Sequence, residues 1–201
     1  YTFGVFQKIL SNNNLKVIDI KLNEINGGSI EVIITKKNNK RWINTNLIKK
    51  IKNDEKKINK KAFYNFSERI KKVRSDLVGF VRKNQPIAGY GASTKGNIVL
   101  NYCNINSIQM PYICDANKQK SKKFTPGTNI KIISKEKMRV LNPKYMLVFI
   151  WSFRSEIIKQ ELNYIKKGGN LIFHLPKFHI INKKNYRNFI NKDFKDFSYK
   201  Y

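Results

Sequence analysis

The chain has 201 residues, a mass of 23.7 kDa and 41% aliphatic, aromatic or cysteine residues; this allows one good-sized domain, or one domain and part of another, and excludes disorder throughout. Its formal net charge of +28, taken alone, points to nucleic acid or an anionic membrane. The lysines, however, run from Lys8 to Lys200 among asparagines and isoleucines (SNNNLK, KKNNK, INKK), a spread that fits codon choice in an AT-rich genome better than a binding face of clustered arginine and aromatics, so neither partner is expected.

The first residue is Tyr1, and the chain opens without a polar lead at YTFGVFQKIL, which reads as a sequence cut from something longer. No secretory leader is recognisable, and a cytoplasmic protein is expected. Phe3, Phe6, Ile9 and Leu10 are spaced like one helix face, stopped by SNNN. LKVIDIKL and SIEVIITKK alternate with the two-residue period of strands and flank NEINGG, an antiparallel pair. From about Thr45 to Lys83 the period becomes helical, with Phe63, Phe66, Ile70, Val73, Leu77 and Phe80 forming one apolar stripe among lysines and arginines. A long helix packed along that stripe is the plain reading, and a nucleic-acid or membrane-surface helix the sharper one.

Pro86 ends this block. Five short apolar strands then alternate with helical segments: IAGYG, MPYICD, IKII, YMLVFIW and NLIFHLP, with helices near 95–103, 135–140 and 154–167. That pattern predicts an α/β domain, a Rossmann-like parallel sheet with helices on both faces. The longest apolar run, residues 145–151, is far short of the ~20 residues of a membrane helix. Cys103 and Cys114 lack CxxC spacing and read as buried thiols. Beyond Pro176 lies a basic tail in which Tyr186, Phe189, Ile190, Phe194 and Phe197 would line a last helix. The resulting division is 1–44, 45–85 (linking helices), 86–182 (the α/β domain) and 183–201.

GYGASTKGN at 89–97 occupies the turn from the first strand of that domain into its helix, where unpaired N–H groups and a positive dipole end attract anions. Gly89 and Gly91 permit a tight turn. Gly96, however, falls five residues after Gly91 rather than three, and no GK[ST] follows, so neither the dinucleotide fingerprint nor the Walker loop fits. Lys95 is placed to meet a diphosphate as a point charge, with Ser93 and Thr94 as donors. Asp115 closes the second strand 24 residues after Gly91, where a Rossmann acid meets a ribose hydroxyl; a helix cap or solvated strand end is the alternative. FTPGT (124–128) adds two threonine hydroxyls at the next edge position. Trp151 ends the fourth strand, to stack on a base or sugar or to join the core. His174, among Ile172, Phe173 and Leu175, reads as a satisfied core histidine, and no catalytic constellation is evident.

GYGASTKGNIVLNYCNI resembles the hallmark segment of the carboxyl-terminal domain of sugar C-methyltransferases, which methylate a ring carbon of nucleotide-linked deoxysugars with S-adenosylmethionine. ICDANKQKSKKFTPGTNIKI, VFIWSFRSEII and GGNLIFHLP resemble later strand ends of the same domain. LKVIDIKLNEINGGSIEVIITKK is similar to the strand pair closing the family's middle, methyl-donor-binding domain. The resemblance implies that Tyr90, Gly91, Ser93, Lys95, Gly96 and Asn97 surround a nucleotide diphosphate, with Asp115, Asn117, Lys120, Thr125, Pro126, Gly127 and Thr128 beside it. It also implies that S-adenosylmethionine and a structural zinc serve a longer enzyme, whose donor loop, Glu-His acid/base pair and zinc cysteines are not among these residues, so the chain alone is expected to be inactive.

The chain departs from the family pattern at Asn26, where His is frequent before GGS, near Lys122, where a glycine is frequent, and at IWS (150–152), where Pro-Trp-Asn is common. The rival readings are an NAD(P)-dependent oxidoreductase domain, favoured by Asp115 and opposed by the glycine spacing and Lys95, and a nucleic-acid-binding protein resting on charge alone.

Overall fold

The computed structural model describes residues 1–23 and 28–191. Residues 24–27 of the NEINGG turn, Asn26 among them, and the part of the tail carrying Phe194 and Phe197 lie outside the described residues. The chain divides into two compact units, Tyr1–Arg69 and Ile70–Tyr201.

The first unit begins with α1 (Phe3–Asn12), capped by the Thr2 hydroxyl, which accepts from the Val5 amide at 3.3 Å. Strands β1 (Leu15–Asn23) and β2 (Ser29–Lys36) pair antiparallel in a register running from Leu15 opposite Lys36 to Asn23 opposite Ser29. Helix α2 (Thr45–Glu55) completes the unit's core, in which Phe3, Leu10, Val17, Ile20 and Ile48 pack together. Glu55, at the end of α2, accepts from the Phe3 and Gly4 amides. A carboxylate thus satisfies donors that the first turn of α1 leaves unpaired, at its positive dipole end.

The helical block read from Thr45 to Lys83 is broken at residues 56–59, and α3 (Lys60–Asn84) follows. The apolar stripe of α3 is packed over only part of its length. Leu77 and Val81 are buried in the core of the second unit, whereas Phe63 and Phe66 are 64% and 55% exposed. The expectation of a stripe packed throughout is corrected accordingly. Segment 45–85 is likewise shared, with α2 in one core and the end of α3 in the other.

The second unit is an α/β domain on a six-stranded sheet, ordered β5-β4-β3-β6-β7-β8. Its elements are β3 (Ala88–Tyr90), α4 (Thr94–Cys103), β4 (Tyr112–Asp115), β5 (Lys131–Ser134), α5 (Lys135–Leu141), β6 (Tyr145–Val148), α6 (Arg154–Gln160), α7 (Leu162–Lys166), β7 (Asn170–Phe173) and β8 (His179–Ile181). Five strands are parallel, as the alternation of strand and helix predicts; β8 pairs antiparallel with β7 and extends the sheet beyond the expected edge. The segment expected to form one helix over 154–167 is two, broken at Glu161.

Side-chain alternation puts Ile113, Ile132, Leu147 and Ile172 on one face with the end of α3 and with α4. The opposite face carries Ala88, Tyr90, Cys114, Ile133, Met146, Val148, Leu171 and Phe173 under α5, α6 and α7. Both faces are therefore covered, which is why the strands read as continuous apolar runs. Both cysteines are buried and free, and desolvation pushes the Cys103 thiol up to about 11 and Cys114 to about 12.

Within the second face, Glu161 is 2% exposed and receives Arg139 through two bonds of 2.7 and 3.1 Å. The Tyr90 hydroxyl donates to the same carboxylate at 3.1 Å. Burial and the neighbouring carboxylate raise the Tyr90 pKa, so this phenol remains a donor.

Among the described residues, five non-glycine residues have positive φ: Asn14, Asn104, Lys122, Asn129 and Asn142. Asparagine tolerates the left-handed region, and Asn104 and Asn142 end α4 and α5 there. Lys122 (φ 68°) has no such excuse. Its amide still donates to the Ile132 carbonyl at 2.9 Å, a bond glycine would keep.

His174 directly follows β7 and is 1% exposed, its ring 5.9 Å from that of Phe149. It is a core residue as expected but not a fully satisfied one, because its Nδ1 has no hydrogen-bond partner among the described residues. Burial pulls its pKa down to about 4, against an opposing backbone interaction at Val148.

Two stability measurements check these features. Lys122→Gly is expected to raise the unfolding free energy in urea by about 0.5–1 kcal/mol, by removing left-handed strain. As pH falls from 6.5 to about 4, the unfolded chain takes up a proton at His174 that the folded chain refuses, so stability drops across that window by up to about 3 kcal/mol. Compared between pH 7 and pH 4.5, His174→Gln is expected to lose less stability than the parent chain.

Candidate functional site

Strands β3 and β6 are neighbours, but the chain leaves β3 toward β4 and β5 and leaves β6 toward β7 and β8. Their carboxyl ends therefore flank the topological switch point, where open α/β sheets bind ligands. The Phe149 amide donates to the Tyr90 carbonyl at 3.0 Å, tying the two strand ends together.

At Gly91 the backbone takes φ +88°, and a Cβ there would come within 2.9 Å of the Ile150 side chain. The Gly91 amide donates to the Cys114 carbonyl at 2.7 Å. Ser93 then caps α4, accepting from the Gly96 amide at 3.0 Å. A Cβ at Gly96 would stand 2.9 Å from Phe149. The glycines that miss the dinucleotide spacing thus have a packing reason of their own: they let the first turn of α4 press down on Phe149 and Ile150. Gly89 does the same within the sheet, where a Cβ would meet Ile113 and Met110 at 2.8 Å.

The result is a ten-residue helix whose N-terminal turn opens at the carboxyl edge of the sheet. Lys95 is exposed on that turn, and its ammonium lies 6.0 Å from the centroid of Trp151, which follows β6 across the switch point. Asn97, one residue past Gly96, has a buried Oδ1 with no hydrogen-bond partner among the described residues. Arg154 opens α6 at the same edge, 2% exposed and 5.6 Å from the centroid of Phe189.

Asp115 ends β4 beside this loop. Its Oδ1 accepts from the Asn117 amide at 2.8 Å and its Oδ2 pairs with Lys120 at 3.3 Å. The Lys120 ammonium also donates to the Ala92 carbonyl at 2.9 Å, so it bridges the second strand end and the glycine loop. Asn117 caps the short turn Lys118–Lys120, accepting from the Gln119 amide at 2.9 Å.

The structure brings together Gly91, Ser93, Lys95, Gly96, Asn97, Asp115, Asn117, Lys120 and Trp151. It does not bring the Tyr90 side chain, which lies on the opposite face with Glu161 and contributes only backbone to the loop. The Thr125 and Thr128 hydroxyls are also committed elsewhere: they bond each other at 2.7 Å, Thr125 accepts from the Ile130 amide at 2.9 Å, and the residues are 3% and 5% exposed. Both side-chain expectations are corrected on those grounds. Pro126 and Gly127 shape a turn held to α4 by Asn101, whose amide donates to the Pro126 carbonyl at 3.2 Å; Gly127 has φ +77°, and a Cβ there would strike Asn101.

Sequence reasoning missed Phe149 and Ile150 as the floor beneath the glycines, Asn101 as the tie to the 124–128 turn, and Arg154. Only the glycine positions themselves carried a signal for that floor. In the first unit, the described glycines are Gly4, inside α1, and Gly28, at the β1–β2 turn. Among the described residues no group of three or more His, Cys, Asp or Glu could hold a metal ion. No described helix is long and apolar enough to cross a membrane.

The model for the C-methyltransferase C-terminal domain matches residues 24–176, a stretch containing the whole β3–α4 loop, Lys120 and Trp151. C-methyltransferase NovU of Streptomyces niveus is 26% identical over 187 residues, covering 90% of this chain. The aligned region is 44% of that relative, so the chain spans less than half of its length. With the family model covering most of both the sheet and the switch point, the chain belongs to the C-methyltransferase C-terminal domain family.

Proposed function

We propose that the second unit is the nucleotide-sugar-binding part of an S-adenosylmethionine-dependent C-methyltransferase, with the diphosphate of the sugar nucleotide held at the N-terminal turn of α4. The observation that carries this reading is the pairing of Lys95 with Trp151 across the switch point, 6.0 Å from ammonium to ring. One side chain supplies a positive charge beside helix amides, and the other a flat face for a base or sugar. An anion at a capped helix start gains from both the dipole and the backbone donors. Ser93, Gly96 and Asn97 shape the turn, Lys120 holds the loop, and the keto-deoxy sugar extends outward from the sheet edge.

In this reading the methyl donor and the base that removes a proton beside the keto group belong to protein outside these residues, in keeping with the 44% span on the relative. This chain contributes binding and orientation, which convert a bimolecular encounter into a positioned one. A nicotinamide-binding role is disfavoured because Asp115, the residue that would meet a ribose, is already engaged by Lys120 and Asn117.

Calorimetric titration of the chain tests the proposal. Thymidine 5′-diphosphate is expected to bind saturably, and Lys95→Met to weaken it about tenfold, the size of one charge-assisted contact. NADH is expected not to bind; saturable NADH binding with none for the diphosphate would reverse the assignment. Incubated with S-adenosylmethionine and a nucleotide-linked keto-deoxy sugar, the 201-residue chain is expected to transfer no methyl group, and turnover by a preparation free of longer forms would contradict the division of labour.

A further inference from the structure

The βαβ unit made by β3, α4 and β4 places Asp115 where dinucleotide-binding folds keep a carboxylate open to a ribose 2′-hydroxyl. Here both oxygens of that carboxylate already have partners. Its Oδ1 is taken by the Asn117 amide at 2.8 Å, and its Oδ2 faces the Lys120 ammonium at 3.3 Å. The Asp115 side chain is only 13% exposed. The same ammonium donates to the Ala92 carbonyl at 2.9 Å, between Gly91 and Ser93 in the loop that precedes α4. A ribose hydroxyl seeking Asp115 would have to share an oxygen with a cation or displace it. Displacement would also release the Ala92 carbonyl, and with it the loop on which the diphosphate depends.

We infer that Lys120 is a specificity-determining and positioning residue: it seals the ribose-diol position, so the site takes its nucleotide without reading the 2′-hydroxyl. This rests on the nucleotide reading of the α4 site and adds to it a statement about the sugar ring attached to the base. An open carboxylate bonded to a 2′-hydroxyl would favour the ribonucleotide by roughly tenfold or more. A sealed one gives no such preference.

The test is a pair of titrations of the 201-residue chain, with thymidine 5′-diphosphate and with 5-methyluridine 5′-diphosphate, which differ only at the 2′ position. Their dissociation constants are expected to agree within about twofold. In Lys120→Met both weaken, because the Ala92 carbonyl loses its partner, but the ribonucleotide weakens less, leaving it preferred by about tenfold now that Asp115 is open. Lys120→Arg is expected to keep the ratio near one, and Asp115→Asn added to Lys120→Met to bring it back toward one. Circular dichroism checks that each variant is folded.

A tenfold ribonucleotide preference in the parent chain, or an unchanged ratio in folded Lys120→Met, overturns the inference while leaving the nucleotide site in place. Absence of saturable binding for either diphosphate overturns the nucleotide reading itself and the inference with it.

Discussion

The close approach of α4 to the end of β6 is the constraint on which the second unit's site depends. Two side chains, Phe149 and Ile150, occupy the space that Cβ atoms at Gly96 and Gly91 would need. With those glycines in place, the first turn of the helix settles directly over the junction of β3 and β6, and its dipole end opens where the sheet's connections diverge. Any side chain at either position would lift the turn from its floor. Gly91 adds a backbone conformation that other residues adopt only under strain.

Polar contacts then hold the loop from both sides. Lys120 reaches from the end of β4 to the Ala92 carbonyl, and the Ser93 hydroxyl closes the first turn of α4 on the Gly96 amide. On the far face of the sheet, Tyr90 anchors β3 through Glu161 and Arg139. Glu161 lies at the break between α6 and α7, so one buried carboxylate links the strand leading into the loop with the helices behind it. Leaving that carboxylate unpaired would be costly, since a buried charge without partners loses its hydration and gains nothing in return.

Much of this arrangement was legible in the sequence. The five parallel strands and α4 follow from short apolar runs separated by helical spacing, because strands buried on both faces need no polar alternation. Strand β8 was not legible: three residues, His179 to Ile181, follow a proline in a basic context, and only pairing with β7 makes them a strand. The division of α3 between an exposed and a buried half was hidden for a similar reason. Phe63 and Leu77 share one stripe, and the spacing that aligns them says nothing of which has a partner. At the site, Lys95, Asp115 and Trp151 were read from their places at strand and helix ends, and they lie there. Tyr90 is assigned by position in a motif, and Thr125 and Thr128 by the edge position of their turn as well, but their polar atoms are consumed by Glu161 and by one another. A motif places a backbone near a ligand; which way each side chain points depends on the alternation of the strand and on local partners.

The asparagine-rich character of the chain also has a structural use. Among the described residues, four asparagines take positive φ, where most residues would be strained. What composition alone presents as genomic bias is, at these turns, compatible with the backbone.

The central claim is that an anion is gripped at the start of α4 by amides and the Lys95 ammonium together. A crystal structure of the chain grown with thymidine 5′-diphosphate tests it most directly. The account predicts density for the two phosphates against the Ser93–Asn97 turn, with the Lys95 ammonium in hydrogen-bond range of a phosphate oxygen. Diphosphate bound at another surface, with Lys95 and that turn unengaged, would contradict it.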